Sequence, residues 1–148
     1  MIYTKLTKLA MRTAYEAHKD VIGKDGCPYI FHPFHLAEQM DKDEYAVCVA
    51  LLHDVVEDCE GYSFESLSQL GFPPEVIEPL KLLTHSGSDL TDEQYFEYVK
   101  NIRSNPTALK VKKADLKHNM DLSRLDDVTD SVKKRLEKYE KSLELLKE

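Results

Sequence analysis

Leu51-Leu52-His53-Asp54-Val55-Val56-Glu57-Asp58 closes an otherwise apolar helix with four ionisable side chains, and the rest of the chain is read outward from it. On a helix turning about 100° per residue, positions 53, 54, 57 and 58 fall within roughly 140° of arc, gathering one imidazole and three carboxylates on one face. Away from water and without a counter-charge, those carboxylates would repel one another and their pKa values would rise; a divalent cation relieves both. An imidazole among carboxylates suits a borderline or hard ion such as manganese, iron, zinc or magnesium. The His-Asp dipeptide alone carries little weight, because a charged helix end facing solvent looks the same.

At 148 residues the chain is the size of one domain, 1–148, with apolar residues enough for one core. Twenty Lys and Arg against twenty-seven Asp and Glu make it acidic. That balance argues against a nucleic-acid groove and against adsorption to anionic membranes, so any bound phosphate has to be met locally, by metal or by a few placed cations. No apolar run approaches a membrane span, and the charged, amphipathic N-terminus lacks the apolar centre of a secretory peptide, so the expected compartment is the cytoplasm. Cys27, Cys48 and Cys59 are odd in number and lack Cys-x-x-Cys spacing, which indicates neither a disulfide framework nor a zinc knuckle. Cys48 reads as a core thiol.

Helical periodicity runs almost throughout, and the expected class is all-α. Leu6, Leu9, Ala10, Ala14 and Ala17 mark a first amphipathic helix, ended by the segment Val21 to Gly26. After a loop through Pro28, His32-Pro33 opens a short helix to about Met40. Asp41 with Glu44 forms a capping-box pattern before a third helix, Tyr45 to Val56. Ser63 caps a helix ending near Gly71; Pro73-Pro74 starts another to about Thr84; Thr91 with Gln94 caps a third from about Asp92 to Arg103. Helices from Pro106 to about Met120 and from about Asp130 to the C-terminus complete the set, the last reading as exposed charge pairing at i,i+4. The β-branched residues fall inside helical periodicities and give no convincing strand.

Two further segments bear on the metal. In Pro28-Tyr29-Ile30-Phe31-His32-Pro33, the proline after His32 restricts its backbone and holds the imidazole at a loop-to-helix junction, although an isolated His is more often a packing or capping residue. In Lys110 to Met120, the residues Val111, Asp115, His118, Asn119 and Leu122 share one face, so a carboxylate and an amide interrupt a core-facing stripe. A buried carboxylate needs a metal or an ion pair; here either an ion or a neighbouring lysine would serve.

These three segments, in this order, resemble the signature of the HD superfamily of metal-dependent phosphohydrolases. More closely, the chain is similar to the hydrolase domain of RelA/SpoT-type enzymes and to stand-alone small alarmone hydrolases, which remove pyrophosphate from (p)ppGpp; the likeness runs from about Ala14 to about Leu125. The resemblance implies an HD-domain helical bundle with manganese, or another divalent cation, held by His32, His53, Asp54 and Asp115. It places Glu57 and Asp58 beside the reacting phosphate, where either would orient water or handle its proton, and Asn119 in the nucleotide pocket. No synthetase partner domain fits within this length.

The departures concern the substrate. Family members carry Gln and Arg where Val21 and Gly23 stand here, and Ala-Asp-Arg-Leu-His-Asn becomes Ala114-Asp115-Leu116-Lys117-His118-Asn119, so two guanidinium groups are lost. Lys24 and Arg124 are the candidates to supply charge in their place, together with one of Lys110, Lys112, Lys113 or Lys117, whose plain alternative is a solvated face. His118 is a candidate to hold Asp115 or a phosphate. His18, His35 and His85 read as packing or helix-end residues, and Tyr95, Phe96 and Tyr98 as core. The expected function is hydrolysis of a small-molecule nucleotide, (p)ppGpp first, with an HD phosphohydrolase for another nucleotide or a non-catalytic metal- and nucleotide-binding module as alternatives; a homo-oligomer stays open.

Overall fold

The core is organised around one helix. In the computed structural model, which describes residues 1–85 and 89–147, every residue from Ala46 to Leu52 is buried. They belong to α3 (Glu44–Leu52). A helix apolar on all sides has to be surrounded, and α1 (Lys5–Ala17), α2 (Phe31–Glu38), α6 (Pro74–Leu83) and α8 (Pro106–Asn119) pack against it. Small residues let α1 approach closely: Ala10 and Ala14 on its inner face are fully buried. α5 (Phe64–Leu70) packs on α6, while α7 (Asp92–Ile102) and α9 (Asp130–Leu145) pack on each other beside α8. The expected all-α class is the one observed; among the described residues the one β-bridge, Ile22 with Pro28, belongs to a hairpin between α1 and α2.

Most boundaries follow from the caps the sequence carries. The side chains of Ser63 and Thr91 accept from Ser66 N–H and Gln94 N–H, and α5 ends at Gly71, whose φ of 118° a side chain would resist. Two boundaries differ from expectation. The cap of α3 is Asp43, accepting from Ala46 N–H at 3.1 Å, whereas Asp41 takes φ 54° in the turn that leaves α2. Aspartate tolerates that left-handed turn, which moves the cap two residues on.

The more consequential difference is that the expected helix Tyr45 to Val56 is broken. α3 stops at Leu52, and after His53 and Asp54 a four-residue helix, α4 (Val55–Asp58), begins. The cause is local: His53 Nδ1 lies 2.7 Å from Ala50 O and occupies the carbonyl that the next helical N–H would have used. The single continuous face expected for residues 53 to 58 is therefore replaced by two short segments meeting at a turn. No helix among the described residues is long and apolar enough to cross a membrane.

Candidate metal centre and active site

Each expected metal ligand comes from an element whose end points into one cavity. His32 stands in the first turn of α2, His53 and Asp54 in the break after α3, and Asp115 in the last turns of α8. His32, His53 and Asp115 are all buried, and their ligand atoms fall within 4.8 Å of one another. His32 Nε2 lies 2.9 Å from Asp115 Oδ1, and His53 Nε2 lies 3.1 Å from Asp54 Oδ2 and 3.5 Å from Asp115 Oδ1.

His53 supplies the test of whether a cation fits. Its Nδ1–H is committed to Ala50 O, so when the ring gives up its second proton the lone pair is on Nε2. That Nε2 is buried between two carboxylates yet aligned with neither as a hydrogen bond. Two imidazole nitrogens and two carboxylates converging on such a point form a donor set for a divalent ion.

An outer layer orients these groups. Tyr29 O–H donates to Asp54 Oδ2. His118 Nδ1 lies 2.7 Å from His32 Nδ1; it therefore braces His32, and neither Asp115 nor a phosphate as expected. Burial first, then the nearby Arg124, holds the His118 imidazole down to about 4, which keeps it neutral and able to accept from His32. Asn119 Nδ2 donates to Asp115 Oδ1 at 3.1 Å, and Lys112 Nζ lies 3.1 Å from Asp115 Oδ2. Asp115 thus has both of the partners that its sequence position left open, a lysine and the metal-type cluster.

The electrostatics divide the acids into two sets. Burial works against the Asp115 charge, but Lys112 and the two imidazoles outweigh it and hold the carboxyl well below its ordinary range; Asp54, likewise opposed by burial, is held at about 2 by His53. Burial would lower His53, but Asp54 and Asp115 raise it well above its usual value. Glu57 and Asp58 go the other way. With Asp54 they form a second acidic group whose oxygens lie within 4.8 Å. Burial, then Asp54 and Glu57, pushes Asp58 up to about 6, and burial raises Glu57 against the pull of His85. The break after α3 therefore still brings the four ionisable residues together, with Asp54 shared between the groups.

These side chains floor a cavity of about 580 Å³. Lys24, Asn119 and Arg124 line it as expected, but none of Lys110, Lys112, Lys113 or Lys117 does. Lys112 is spent on Asp115 and sits over the Tyr95 and Tyr98 rings, while Lys110 reaches Asp43 at 3.4 Å. Among the wall residues, Tyr29, Arg135 and Tyr139 were given no site role from sequence, and His85, read as a helix-end residue, stands at the cavity instead. Tyr29 holds Asp54; His85 donates its backbone N–H to Glu57 Oε1 at 3.2 Å; Arg135 and Tyr139 enter from α9. The expectation that α9 pairs its own charges is corrected here: Lys138 and Lys141 lie over the Tyr95 and Phe96 rings, and Arg135 faces the cavity. Val132, Leu136 and Tyr139, apolar at helical spacing, were the signal that this helix turns a side inward. His18, as expected, is a packing residue, buried 4.8 Å from the Tyr29 ring centre.

No protein-family model matches the chain. It is 32% identical over 123 residues, 78% of its length, to a probable GTP pyrophosphokinase of Mycobacterium leprae, of which it spans 15%. It is 32% identical over 117 residues to the guanosine-3′,5′-bis(diphosphate) 3′-pyrophosphohydrolase of Haemophilus influenzae, of which it spans 17%. A solved structure of a metazoan ortholog of SpoT, described as hydrolysing ppGpp and playing a role in starvation responses, superposes with a TM-score of 0.82 at 25% identity, covering 99% of this chain and 88% of that one. The chain thus corresponds to a small part of its long bacterial relatives and to nearly the whole of the metazoan structure. With His32, His53, Asp54 and Asp115 gathered as the three motifs require, the chain belongs to the RelA/SpoT-type branch of the HD superfamily.

Proposed function

We propose that the chain hydrolyses (p)ppGpp at its 3′-diphosphate, giving GDP or GTP and pyrophosphate, and that manganese is the ion it uses. The observation that carries the reading is the buried His53 Nε2, set between Asp54 and Asp115, which with His32 line a cavity large enough for a nucleotide. Both the Haemophilus relative and the metazoan structure are described as acting on this compound.

His32, His53, Asp54 and Asp115 would hold the ion, which when bound supplies Lewis-acid polarisation of a phosphate oxygen and a lowered water pKa. The chain's own residues do the rest. Asp58, with Glu57 beside it, takes the proton of the attacking water as the new P–O bond forms; a carboxyl near 6 is matched to that task at neutral pH. The bond from phosphorus to the nucleotide 3′ oxygen breaks, and that oxygen takes up the proton that Asp58 accepted from the water, which returns the carboxylate to its starting state. His85 N–H keeps Glu57 turned toward the cavity. Lys24 and Arg135 line the mouth and would meet the phosphates, while Leu122, Leu125, Val132 and Leu136 offer an apolar wall to the base. Asn119, already donating to Asp115, completes the inner rim.

Purified protein loaded with manganese and offered a nucleotide panel tests this. Release of pyrophosphate from (p)ppGpp, in preference to orthophosphate from nucleoside monophosphates, is the expected result; release only from another nucleotide would reassign the substrate and keep the centre.

A further inference from the structure

The cavity's outer wall contains an ion pair that the reaction does not require. Between α1 and α2 the chain forms a small hairpin: Gly23 N–H donates to Cys27 O at 2.8 Å, Tyr29 N–H donates to Val21 O at 2.8 Å, and Gly26, at φ 82°, turns the tip. Lys24 and Asp25 ride on that tip. Asp25 Oδ1 accepts Cys27 N–H at 3.0 Å, and its Oδ2 meets Arg124 Nη1 at 2.6 Å. Arg124 belongs to the 3-10 turn Leu122–Arg124 after α8, and its Nη2 donates to His118 O at 2.9 Å.

Three observations give this pair a purpose. The two side chains are 24% and 12% exposed, so solvent screens them little. Arg124 Nε is buried without a hydrogen-bond partner, so the guanidinium is placed by two contacts that both run to the chain itself. Third, a Cβ on Gly23 would lie 3.0 Å from Asp25 Oδ1, tighter than ordinary contact, so glycine at this position leaves the Asp25 carboxylate undisturbed.

Lys24 needs such an anchor. Its ammonium shares the cavity with Arg135, and burial together with that like charge pulls its pKa down. Two cations do not stay near each other in the absence of a phosphate unless the backbone carrying them is held.

We propose that Asp25 and Arg124 form a latch that holds the hairpin 21–29 across the cavity mouth and sets Lys24 over the phosphate-binding space. Arg124 is then a positioning residue that acts through Asp25 and Lys24 without touching substrate. The proposal rests on the nucleotide-phosphate reading of the cavity.

The test measures pyrophosphate release from ppGpp by manganese-loaded parent, Arg124→Ala, the charge-swapped Asp25→Arg/Arg124→Asp protein, Lys24→Ala and Lys24→Ala/Arg124→Ala. Arg124→Ala raises KM about tenfold with kcat and manganese content kept, the swap restores most of the loss, and Arg124→Ala adds less than about twofold once Lys24 is gone. A full Arg124 effect in the Lys24→Ala background, or a swap no better than the single variant, overturns the latch and makes Arg124 a substrate contact. Amide hydrogen exchange without nucleotide reads the hairpin directly. Arg124→Ala speeds exchange at Gly23 and Tyr29, and unchanged exchange also overturns the latch. If the parent releases no pyrophosphate, the proposed substrate has failed, and the exchange data still decide the latch.

Discussion

The floor of the cavity and its rim are built differently. The floor ligands come from the end of α3 itself or from α2 and α8 packed on it, and each is held by a neighbour: Ala50 O for His53, His118 for His32, Lys112 for Asp115, Tyr29 for Asp54. The rim consists of a hairpin, a 3-10 turn and one side of α9, and the Asp25–Arg124 pair at 2.6 Å ties the hairpin to the turn. The floor keeps the family's residues, while Val21 and Gly23 stand in the rim hairpin; Leu116 is fully buried in the core, away from the cavity lining. A rigid floor fixes the reaction class; a loosely tied rim leaves the substrate adjustable.

That contrast can be broken by experiment, and the largest effect is expected at the floor. His53→Ala or Asp115→Ala abolishes both bound metal, read by mass spectrometry, and hydrolysis; a variant that keeps metal and activity would show that the floor is not the centre. Glu57→Gln and Asp58→Asn keep their metal and lose about 10²–10⁴ in rate. In the parent, rate falls with acidity as Asp58 takes up its proton near pH 6, and this limb disappears in Asp58→Asn.

Metal removal exposes a linked effect. His53 is raised well above its ordinary value by Asp54 and Asp115 against burial, so in metal-free protein the imidazolium stabilises the fold. That contribution is complete below the unfolded value of about 6.5 and is lost as pH rises through the folded value. Since a ligating His53 gives up its proton, manganese affinity rises with pH over the same window, by up to about tenfold per unit for one proton released, which calorimetry in buffers of different ionisation heat measures. Tyr29→Phe, which frees Asp54 without emptying the floor, weakens manganese binding by about tenfold. The smallest effect belongs to the rim: Arg135→Ala raises KM severalfold with metal content unchanged.

Much of the floor was legible in the sequence. A proline after His32, the end of an apolar helix at His53 and Asp54, and a carboxylate in a buried stripe at Asp115 marked candidates, and the resemblance to the HD superfamily joined the four into one ligand set. The break between α3 and α4 was not legible. It depends on whether the His53 ring turns back to Ala50 O, a rotamer choice that periodicity does not record. The spending of Lys112 went unnamed although it alone of the four lysines stands three residues from Asp115, the spacing at which helix side chains meet; the fold adds the Tyr95 and Tyr98 rings beside its ammonium. α9 was misread because its charges are dense enough to hide the apolar side that brings Arg135 and Tyr139 to the cavity. Arg124 was read as a charge for the substrate; it lines the cavity, and its partner Asp25 lies 99 residues away, so only the fold introduces them.

The interruption after Leu52 has a consequence for how such an enzyme can change. α3 is enclosed on every side, so alterations there are paid for in core packing, while α4 is four residues long with Glu57 and Asp58 at the surface of the cavity. The turn at His53 and Asp54 acts as a joint between a helix fixed by packing and a short one that buries only Val55 in the core while Glu57 and Asp58 face the cavity. Substitutions at Glu57 and Asp58 change how a proton is handled without reopening the core, which separates selection on the chemistry from selection on the fold.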